Sequence, residues 1–227
     1  MDVALAVFDM IGTTVEAGDE VPAAFAAALA GVGIRPSPED LSAVRGRSKR
    51  EAFAALVAGH GPAGDDPAGL ADAAYRRFQG LIRQAYRERA RPIPGVESVF
   101  AYFREAGVPV VLTTGFDRET AGLLLDAMGW EGAGLRGLIT GDDVSRGRPA
   151  PDLIRAAMAL TDIGDPRAVL VAGDTTADLE AAAAAGVGWN VGVLSGAHGR
   201  DALASRPHTV ILESLADLPA WLSAPTR

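Results

Sequence analysis

The amino-acid sequence predicts an α/β fold: a doubly wound parallel sheet, Rossmann-like, with a small all-helical segment inserted after the first strand. Three observations predict this. Short apolar runs recur along the chain, and such runs are typical of strands that are buried on both faces. Helical patterns separate the runs, which favours a parallel sheet. One long stretch near the N terminus shows helical patterns only, and it indicates the insert.

The predicted core begins with a strand and continues after residue 92 as alternating helices and strands. Strands are predicted at residues 3–8, 108–113, 138–140, 168–172, 189–193 and 209–212. Helices are predicted at residues 96–106, 119–128, 151–159 and 177–185. We therefore expect residues 1–15 and 92–227 to form one catalytic α/β core.

Residues 16–91 interrupt this alternation. Helical patterns broken by Gly and Pro predict helices at 21–30, 37–44, 49–58 and 70–89, with a loop at 61–66. The sequence Pro92-Ile93-Pro94-Gly95 then ends the interruption. We predict that residues 16–91 form a helical cap domain.

The composition limits the class of protein. The 227 residues include no cysteine, which excludes disulfides, thiolate metal sites and cysteine nucleophiles. The net charge of −8 argues against nucleic acid or an anionic membrane as the main partner. No signal peptide or membrane-spanning run is evident in the sequence. We expect a cytoplasmic enzyme that acts on a small molecule, as a monomer or a homodimer.

Polar residues directly follow several of the predicted strands. Ligands of open parallel sheets bind at the carboxyl ends of the strands, so these residues are candidates for a binding site. Asp9 follows the first strand, and its carboxylate can present one oxygen to a substrate and the other to a metal. Gly12 and Thr13 lie in the turn that comes next, and the backbone amides of such a turn can hold phosphoryl oxygens. The alternative interpretation is that Asp9 only makes a local hydrogen bond within the turn.

Two further segments carry groups that suit a phosphoryl ligand. Thr113, Thr114 and Gly115 follow the second predicted strand and offer hydroxyl and amide donors. Arg148 lies in a Pro-rich loop that restricts its backbone, and it can neutralise a carboxylate and a phosphoryl oxygen together. Both segments are candidates for phosphate binding.

A pair of acids follows the fourth predicted strand. Asp174 and Asp178 are four residues apart, which places them on one side of a starting helix. Helix capping alone explains such acids, but together with Asp9 they form an oxygen-rich set that suits Mg²⁺. We therefore predict a magnesium site at this edge of the sheet.

In their order and positions, these four segments resemble the haloacid dehalogenase superfamily over essentially the whole chain. The motif from Gly173 to Asp178 is the most specific part of the resemblance. The resemblance implies that Asp9 is a nucleophile that forms an aspartyl-phosphate. It also implies a set of metal ligands and supporting groups, namely Asp9, the carbonyl of Ile11, Asp174 and Asp178. The insert would be the mobile cap that selects the substrate.

Ile11 departs from the pattern of the phosphatases in this superfamily, which carry a second Asp at that position as general acid and base. The departure narrows the resemblance to the phosphonatase group, which shares Gly-Thr-Thr, Thr-Thr-Gly and Gly-Arg-Pro with this chain. That group forms a Schiff base on a cap lysine. The only lysine here, Lys49, lies in the insert three residues after Gly46, where the flanking Arg47 and Arg50 favour a lowered pKa.

The rest of the cap motif argues against a true phosphonatase, since Arg45 and Ala52 stand where that group has Met and His. We therefore expect a phosphatase in which Lys49 and Arg47 bind the substrate or polarise its leaving group. A phosphonoacetaldehyde-type hydrolase and a catalytically weak binding protein remain as alternatives. A dehalogenase or a phosphomutase is not expected. The histidines show no ligand spacing, and an arginine-rich cap surface suits an anionic compound.

Overall fold

The computed structural model describes residues 3–61 and 66–224. Six parallel strands form one sheet: β1 (Leu5–Asp9), β2 (Val110–Thr113), β3 (Leu135–Ile139), β4 (Val169–Gly173), β5 (Trp189–Val193) and β6 (Val210–Leu212). Their spatial order is β3-β2-β1-β4-β5-β6. The order therefore reverses beside β1, and in open parallel sheets such a reversal opens a crevice at the carboxyl ends of the strands.

The central strand β1 is buried along its whole length, because apolar layers pack on both faces of the sheet. Phe8 packs on one face against Phe100 and Phe103, with ring centroids 6.5 and 5.7 Å away. Leu5 and Val7 point into the apolar layer on the other face. In the register of the sheet Asp9 lies beside Thr113, so the two strands present both side chains at the same edge.

Along the chain, four helices follow β1 before the rest of the core begins: α1 (Glu20–Ala30), α2 (Pro38–Ala43), α3 (Lys49–His60) and α4 (Pro67–Arg89). We call this segment, residues 20–89, the insert. The rings of Phe25, Phe53 and Phe78 pack together at its centre, with centroids 4.5–5.3 Å apart. Phe116, which follows β2, lies 6.1 Å from Phe78. The aromatic cluster of the insert therefore continues into the core.

The remaining helices flank the sheet: α5 (Val96–Glu105), α6 (Arg118–Met128), α7 (Asp152–Leu160), α8 (Thr176–Ala185), α9 (Arg200–Ala204) and α10 (Leu218–Ser223). The predicted α/β fold with a parallel sheet is confirmed. The third strand begins three residues before its predicted start, because Arg136 and Gly137 interrupt the apolar pattern on this half-exposed edge strand. Helices α9 and α10 were not predicted. Of the predicted loop 61–66, residues 62–65 lie outside the described residues.

The insert contacts the core through closely packed backbone. A Cβ atom on Gly46 would lie 2.2 Å from Oγ1 of Thr175, and one on Gly147 would lie 2.3 Å from Cβ of Ser48. A Cβ atom on Gly115 would lie 2.6 Å from the Arg47 carbonyl oxygen. Only glycine fits at these three points. The division of the chain into two domains at residues 16 and 91 stays a prediction.

Across the described residues, every helix is too short or too polar to cross a bilayer.

Candidate active site

Three aspartates converge at the carboxyl ends of β1 and β4. Asp9 is the last residue of β1, Asp174 directly follows β4, and Asp178 lies in the first turn of α8. One carboxylate oxygen from each lies within 4.8 Å of the other two, and all three residues are buried. The structure thus brings together the three carboxylates that the sequence analysis singled out.

Asp178 combines helix capping with a place in this cluster. Its carboxylate accepts hydrogen bonds from the amide and the hydroxyl of Thr175, while Thr175 in turn caps α8. This reciprocal arrangement is a capping box. A Cβ atom on Gly173 would lie 2.3 Å from Cβ of Asp178. The capping and site interpretations of Asp178 are therefore compatible, and the strand has to end in glycine to admit the acid.

Arg148 links the cluster. Its Nη1 lies 2.6 Å from Oδ1 of Asp9 and 2.6 Å from Oδ1 of Asp178. Its Nη2 donates a hydrogen bond of 3.1 Å to the hydroxyl of Thr113. Burial lowers the pKa of Arg148, but the charges of Asp178 and Asp9 raise it more, and the guanidinium stays charged. Arg148 thus fixes the orientation of Asp9 relative to the neighbouring strand.

The site holds more negative charge than Arg148 neutralises. Burial raises the pKa of Asp9 to about 6, and the charge of Arg148 opposes part of this shift. Burial also raises the pKa of Asp174 well above its usual value, and the charges of Asp9 and Asp178 add to this effect. A further cation would stabilise buried carboxylates of this kind in their charged form. An oxygen-lined site of three acids suits a hard divalent ion.

A family model described as haloacid dehalogenase-like hydrolase matches residues 3–186. The chain belongs to this family. The family resemblance found in the sequence is therefore confirmed, and the chain is an enzyme of the hydrolase class.

Curated relatives of this hydrolase carry two kinds of name. A phosphoglycolate phosphatase from Pseudomonas putida is 33% identical over 222 residues, which cover 95% of this chain and 78% of the relative. A phosphonoacetaldehyde hydrolase from Bacillus cereus is 32% identical over 122 residues, which cover 54% of this chain and 46% of the relative. The aligned segment thus spans about half the length of that relative. A crystal structure of a hydrolase from Pseudomonas syringae has a TM-score of 0.85 at 23% identity, covering 96% and 97% of the chains.

The polar groups of the turn after Asp9 make hydrogen bonds within the protein. The amide of Gly12 donates to the carbonyl of Val15, and the amide of Thr13 donates to that of Met10. The hydroxyl of Thr13 donates to Oδ1 of Asp174 at 3.4 Å. These bonds shape the turn, with Gly12 in the left-handed region at a φ of 92°. The predicted phosphate contacts of Gly12 and Thr13 stay a prediction.

Two residues beside Asp9 have backbone amides without an acceptor among the described residues. Ile11 and Gly115 line the cavity beside Asp9, and within the described residues neither amide donates to an acceptor. Thr114 also lines the cavity, although its hydroxyl accepts a hydrogen bond from the Phe116 amide. Thr113 is held by Arg148. Thr114 and Gly115 thus line the cavity while Thr113 does not, and the phosphate contacts of all three stay a prediction.

Lys49 reaches the site from the insert. It lines the same cavity as Asp9, and its Nζ lies 5.2 Å from the centre of the Phe116 ring. Its backbone amide donates to the Gly115 carbonyl at 3.1 Å, which fixes the start of α3 on the core. Burial lowers the pKa of Lys49 to about 8, and the charge of Asp9 opposes part of this shift. Lys49 thus lies in the same cavity as Asp9, and its pKa is lowered towards neutral pH.

Arg47 does not line the cavity, contrary to its expected place beside the substrate. Its Nε is buried without a hydrogen-bond partner among the described residues. The chain turns at Gly46, which has a φ of 75°, and Arg45 on the other side of this turn lines the cavity instead. The arginine-rich cap surface expected from the sequence comprised Arg45, Arg47, Arg50, Arg76, Arg77 and Arg83. Of these, Arg50 pairs with Asp72 and Arg83 with Asp117, and neither lines the cavity.

The loop after β5 is part of the site, and the sequence analysis missed it. The amide of Ala197 donates to Oδ2 of Asp174 at 2.7 Å, and the hydroxyl of Ser195 donates to the Gly12 carbonyl at 2.7 Å. A Cβ atom on Gly196 would lie 2.0 Å from Oδ2 of Asp174. His198 accepts a hydrogen bond from the Thr176 amide. The strand-end rule that located Asp9 and Asp174 applies equally to this loop.

Proposed function

We propose that the protein hydrolyses small phosphate monoesters through an aspartyl-phosphate on Asp9, with Mg²⁺ as cofactor. One observation carries the proposal. The carboxylate of Asp9 lies at the end of the central strand, bonded to Arg148, and it faces a cavity that also receives Lys49. A nucleophile, a cation for the phosphoryl oxygens and a proton donor are thus arranged around one space.

The residues present fit a magnesium ion. Asp9, Asp174 and the carbonyl of Ile11 would hold it, while Asp178 would support the site through Arg148. The raised pKa values of Asp9 and Asp174 are the observation behind this assignment, since a divalent cation stabilises buried carboxylates. When bound, Mg²⁺ supplies positive charge against the phosphoryl oxygens.

In the first step a carboxylate oxygen of Asp9 attacks phosphorus, and the bond from phosphorus to the ester oxygen breaks. Arg148 and the amides of Ile11 and Gly115 neutralise charge on the phosphoryl oxygens. The leaving oxygen takes a proton from the Lys49 ammonium. The products of this step are an alcohol, the aspartyl-phosphate and a neutral lysine amine.

In the second step water attacks the phosphorus of the aspartyl-phosphate. The neutral amine of Lys49 takes the proton of this water, which reverses its role in the first step. The bond between phosphorus and Asp9 breaks, inorganic phosphate leaves, and the carboxylate and the ammonium are restored. Lys49 thereby takes over the proton transfers that Ile11 cannot perform.

The first experiment is a phosphate-release assay over a broad panel of phosphorylated metabolites, with and without Mg²⁺. Release that requires both Mg²⁺ and an intact Asp9 supports the proposal. If no compound releases phosphate, the catalytically weak binding protein becomes the better interpretation. Asp9→Asn protein, assayed in parallel, identifies phosphate released by contaminants.

A phosphonoacetaldehyde-type hydrolase is the second candidate, and the half-buried Lys49 favours it, since a pKa of about 8 leaves part of the amine neutral and nucleophilic. Ala52 opposes it, because the residue is fully buried and has no group that transfers protons. Borohydride trapping with phosphonoacetaldehyde separates the candidates. We expect no adduct on Lys49, the only lysine of the chain. A labelled Lys49 would establish carbon–phosphorus cleavage instead.

A further inference from the structure

The cavity over Asp9 is larger than a phosphoryl group needs. Its volume is about 390 Å³. At roughly 30 Å³ for a water-sized group, it holds about a dozen such groups. A phosphoryl group and a hydrated metal fill only part of this space. A two-carbon leaving group would leave much of the rest empty.

Five of the side chains that line the cavity are large and apolar. We call these side chains the apolar wall: Val21, Phe25, Leu41, Val44 and Phe116. Phe25 and Phe116 are held in place by the aromatic cluster around Phe78. The wall is therefore a preformed surface, and it lies in the same cavity as the reacting end at Asp9 and Lys49.

A few charged side chains also line the cavity next to these residues in sequence or in the adjoining helix. Within the described residues of the insert these are Lys49 and the exposed Arg45, and the exposed Asp19 directly precedes α1. The wall itself offers no side-chain donor or acceptor. A leaving group rich in hydroxyls would lose its hydrogen bonds to water there without replacement. A hydrocarbon or aromatic leaving group would gain by leaving water.

We infer that the substrate is a phosphate monoester whose leaving group carries an apolar segment of several carbons, which packs against the apolar wall. The inference rests on the proposed function for the position of the phosphoryl group. It excludes polyol phosphates and two-carbon phosphates as preferred substrates. Specificity then comes from α1, from α2 and the residue that follows it, and from Phe116.

The test measures kcat/KM for ethyl, butyl and hexyl phosphate and for sorbitol 6-phosphate, in the presence of Mg²⁺. Each methylene should raise kcat/KM about two- to fourfold, so hexyl phosphate should exceed ethyl phosphate by roughly tenfold or more. Sorbitol 6-phosphate has as many carbons as hexyl phosphate and should be a correspondingly poorer substrate. Equal values along the series, or a preference for the polyol, would overturn the inference while leaving phosphate hydrolysis intact.

A matched pair of variants locates the effect. Leu41 and Leu81 are both half-buried leucines of the insert, but only Leu41 lines the cavity. Leu41→Asn should lower the ratio of hexyl to ethyl turnover about threefold or more. Leu81→Asn should leave the ratio unchanged, and thermal melts would show that both variants fold. An unchanged ratio in Leu41→Asn would contradict the assignment of the wall.

A binding measurement separates this inference from the proposed function. Hexylphosphonate and ethylphosphonate carry the same chains but have no ester oxygen to release, and their dissociation constants are measured by calorimetry with Mg²⁺ present. We expect hexylphosphonate to bind at least tenfold more tightly. If no ester is hydrolysed but this difference is found, the proposed function fails, while the preference of the apolar wall for a hydrocarbon chain holds. If both phosphonates bind equally, or neither binds, the inference fails whatever the enzyme hydrolyses.

Discussion

Glu51 accepts a hydrogen bond of 2.9 Å from the backbone amide of Gly147. Glu51 lies in the first turn of α3, two residues after Lys49, and Gly147 directly precedes Arg148. The helix that brings Lys49 to the cavity is therefore bonded to the loop that brings Arg148. One contact thus ties the position of the insert to that of the cation on Asp9.

We predict that Glu51→Ala lowers kcat about tenfold with a smaller change in KM, because Arg148 loses support while the cavity keeps its shape. Glu51→Gln keeps an oxygen that accepts the Gly147 amide and should restore most of the rate. Glu88→Ala removes an exposed glutamate of α4 and serves as the control. Equal losses in the Ala and Gln variants would show that the charge of Glu51 matters and not its bond to Gly147.

Asp9→Asn should lower kcat roughly a thousandfold or more, since the amide is a poor nucleophile. Asp165→Asn is a suitable control because Asp165 pairs with Arg167 on the surface and lies outside the cavity. Steady-state assays on the best substrate of the panel make the comparison. Turnover of Asp9→Asn at the wild-type rate would rule out the aspartyl-phosphate.

The pH profile tests the role of Lys49. As a general acid, Lys49 acts in its charged form, so kcat should fall as the pH rises through about 8. A Schiff-base lysine acts as the neutral amine, and activity would then rise through the same range. Asp9 acts as the carboxylate, so at limiting Mg²⁺ activity should also fall as the pH drops through about 6.

Substitution at Lys49 supports the profile. Lys49→Ala should lower kcat about a hundredfold, and it should remove the alkaline fall. Lys49→Arg keeps the charge but not the proton transfer, because an arginine side chain stays protonated in proteins. It should therefore resemble Lys49→Ala in rate. A nearly active Lys49→Arg would show that Lys49 acts only through its charge.

The sequence was sufficient to locate the acid cluster because the sheet is parallel. Asp9 and Asp174 end adjacent strands, and strand ends of a parallel sheet share one edge. It could not place the arginines around Lys49, because their directions depend on the left-handed turn at Gly46 and on its close approach to Thr175. The apolar wall could not be predicted from the sequence either, since it depends on how helices that are distant in the chain pack around Phe116.

The contact between Arg83 and Asp117 should stabilise the protein. Arg83 of α4 lies 2.7 Å from Asp117, which caps α6, and their side chains are only 18% and 6% exposed. Burial raises the pKa of Asp117, but hydrogen bonds from Thr120 and Arg83 lower it more, so the carboxylate stays charged. Arg83→Ala should cost about 2–3 kcal/mol because it leaves this charge without its partner.

A surface pair provides the comparison for Arg83. Arg167 pairs with Asp165, but their side chains are 84% and 51% exposed. Arg167→Ala should therefore change the free energy of unfolding by no more than about 0.5 kcal/mol. Urea denaturation of both variants measures the two losses in the free energy of unfolding. Similar losses for the two would mean that the link between α4 and α6 adds nothing beyond a surface ion pair.

Mg²⁺ should stabilise the protein more at neutral than at acid pH. The pKa of Asp9 is raised to about 6 and that of Asp174 is raised well above its ordinary value, mainly by burial. An acid with a raised pKa in the folded state binds its proton more tightly there than in the unfolded chain. The metal-free protein therefore loses stability as the pH rises from about 4 through 6.

A bound cation reverses this loss because it requires the ionised carboxylates. The difference in Tm between samples with millimolar Mg²⁺ and with EDTA should be small at about pH 5 and larger at about pH 7.5. Asp174→Asn removes one buried charge, so it should raise the Tm of the metal-free protein at neutral pH and abolish the response to Mg²⁺. A response that is equal at both pH values, or that persists in Asp174→Asn, would place the metal elsewhere.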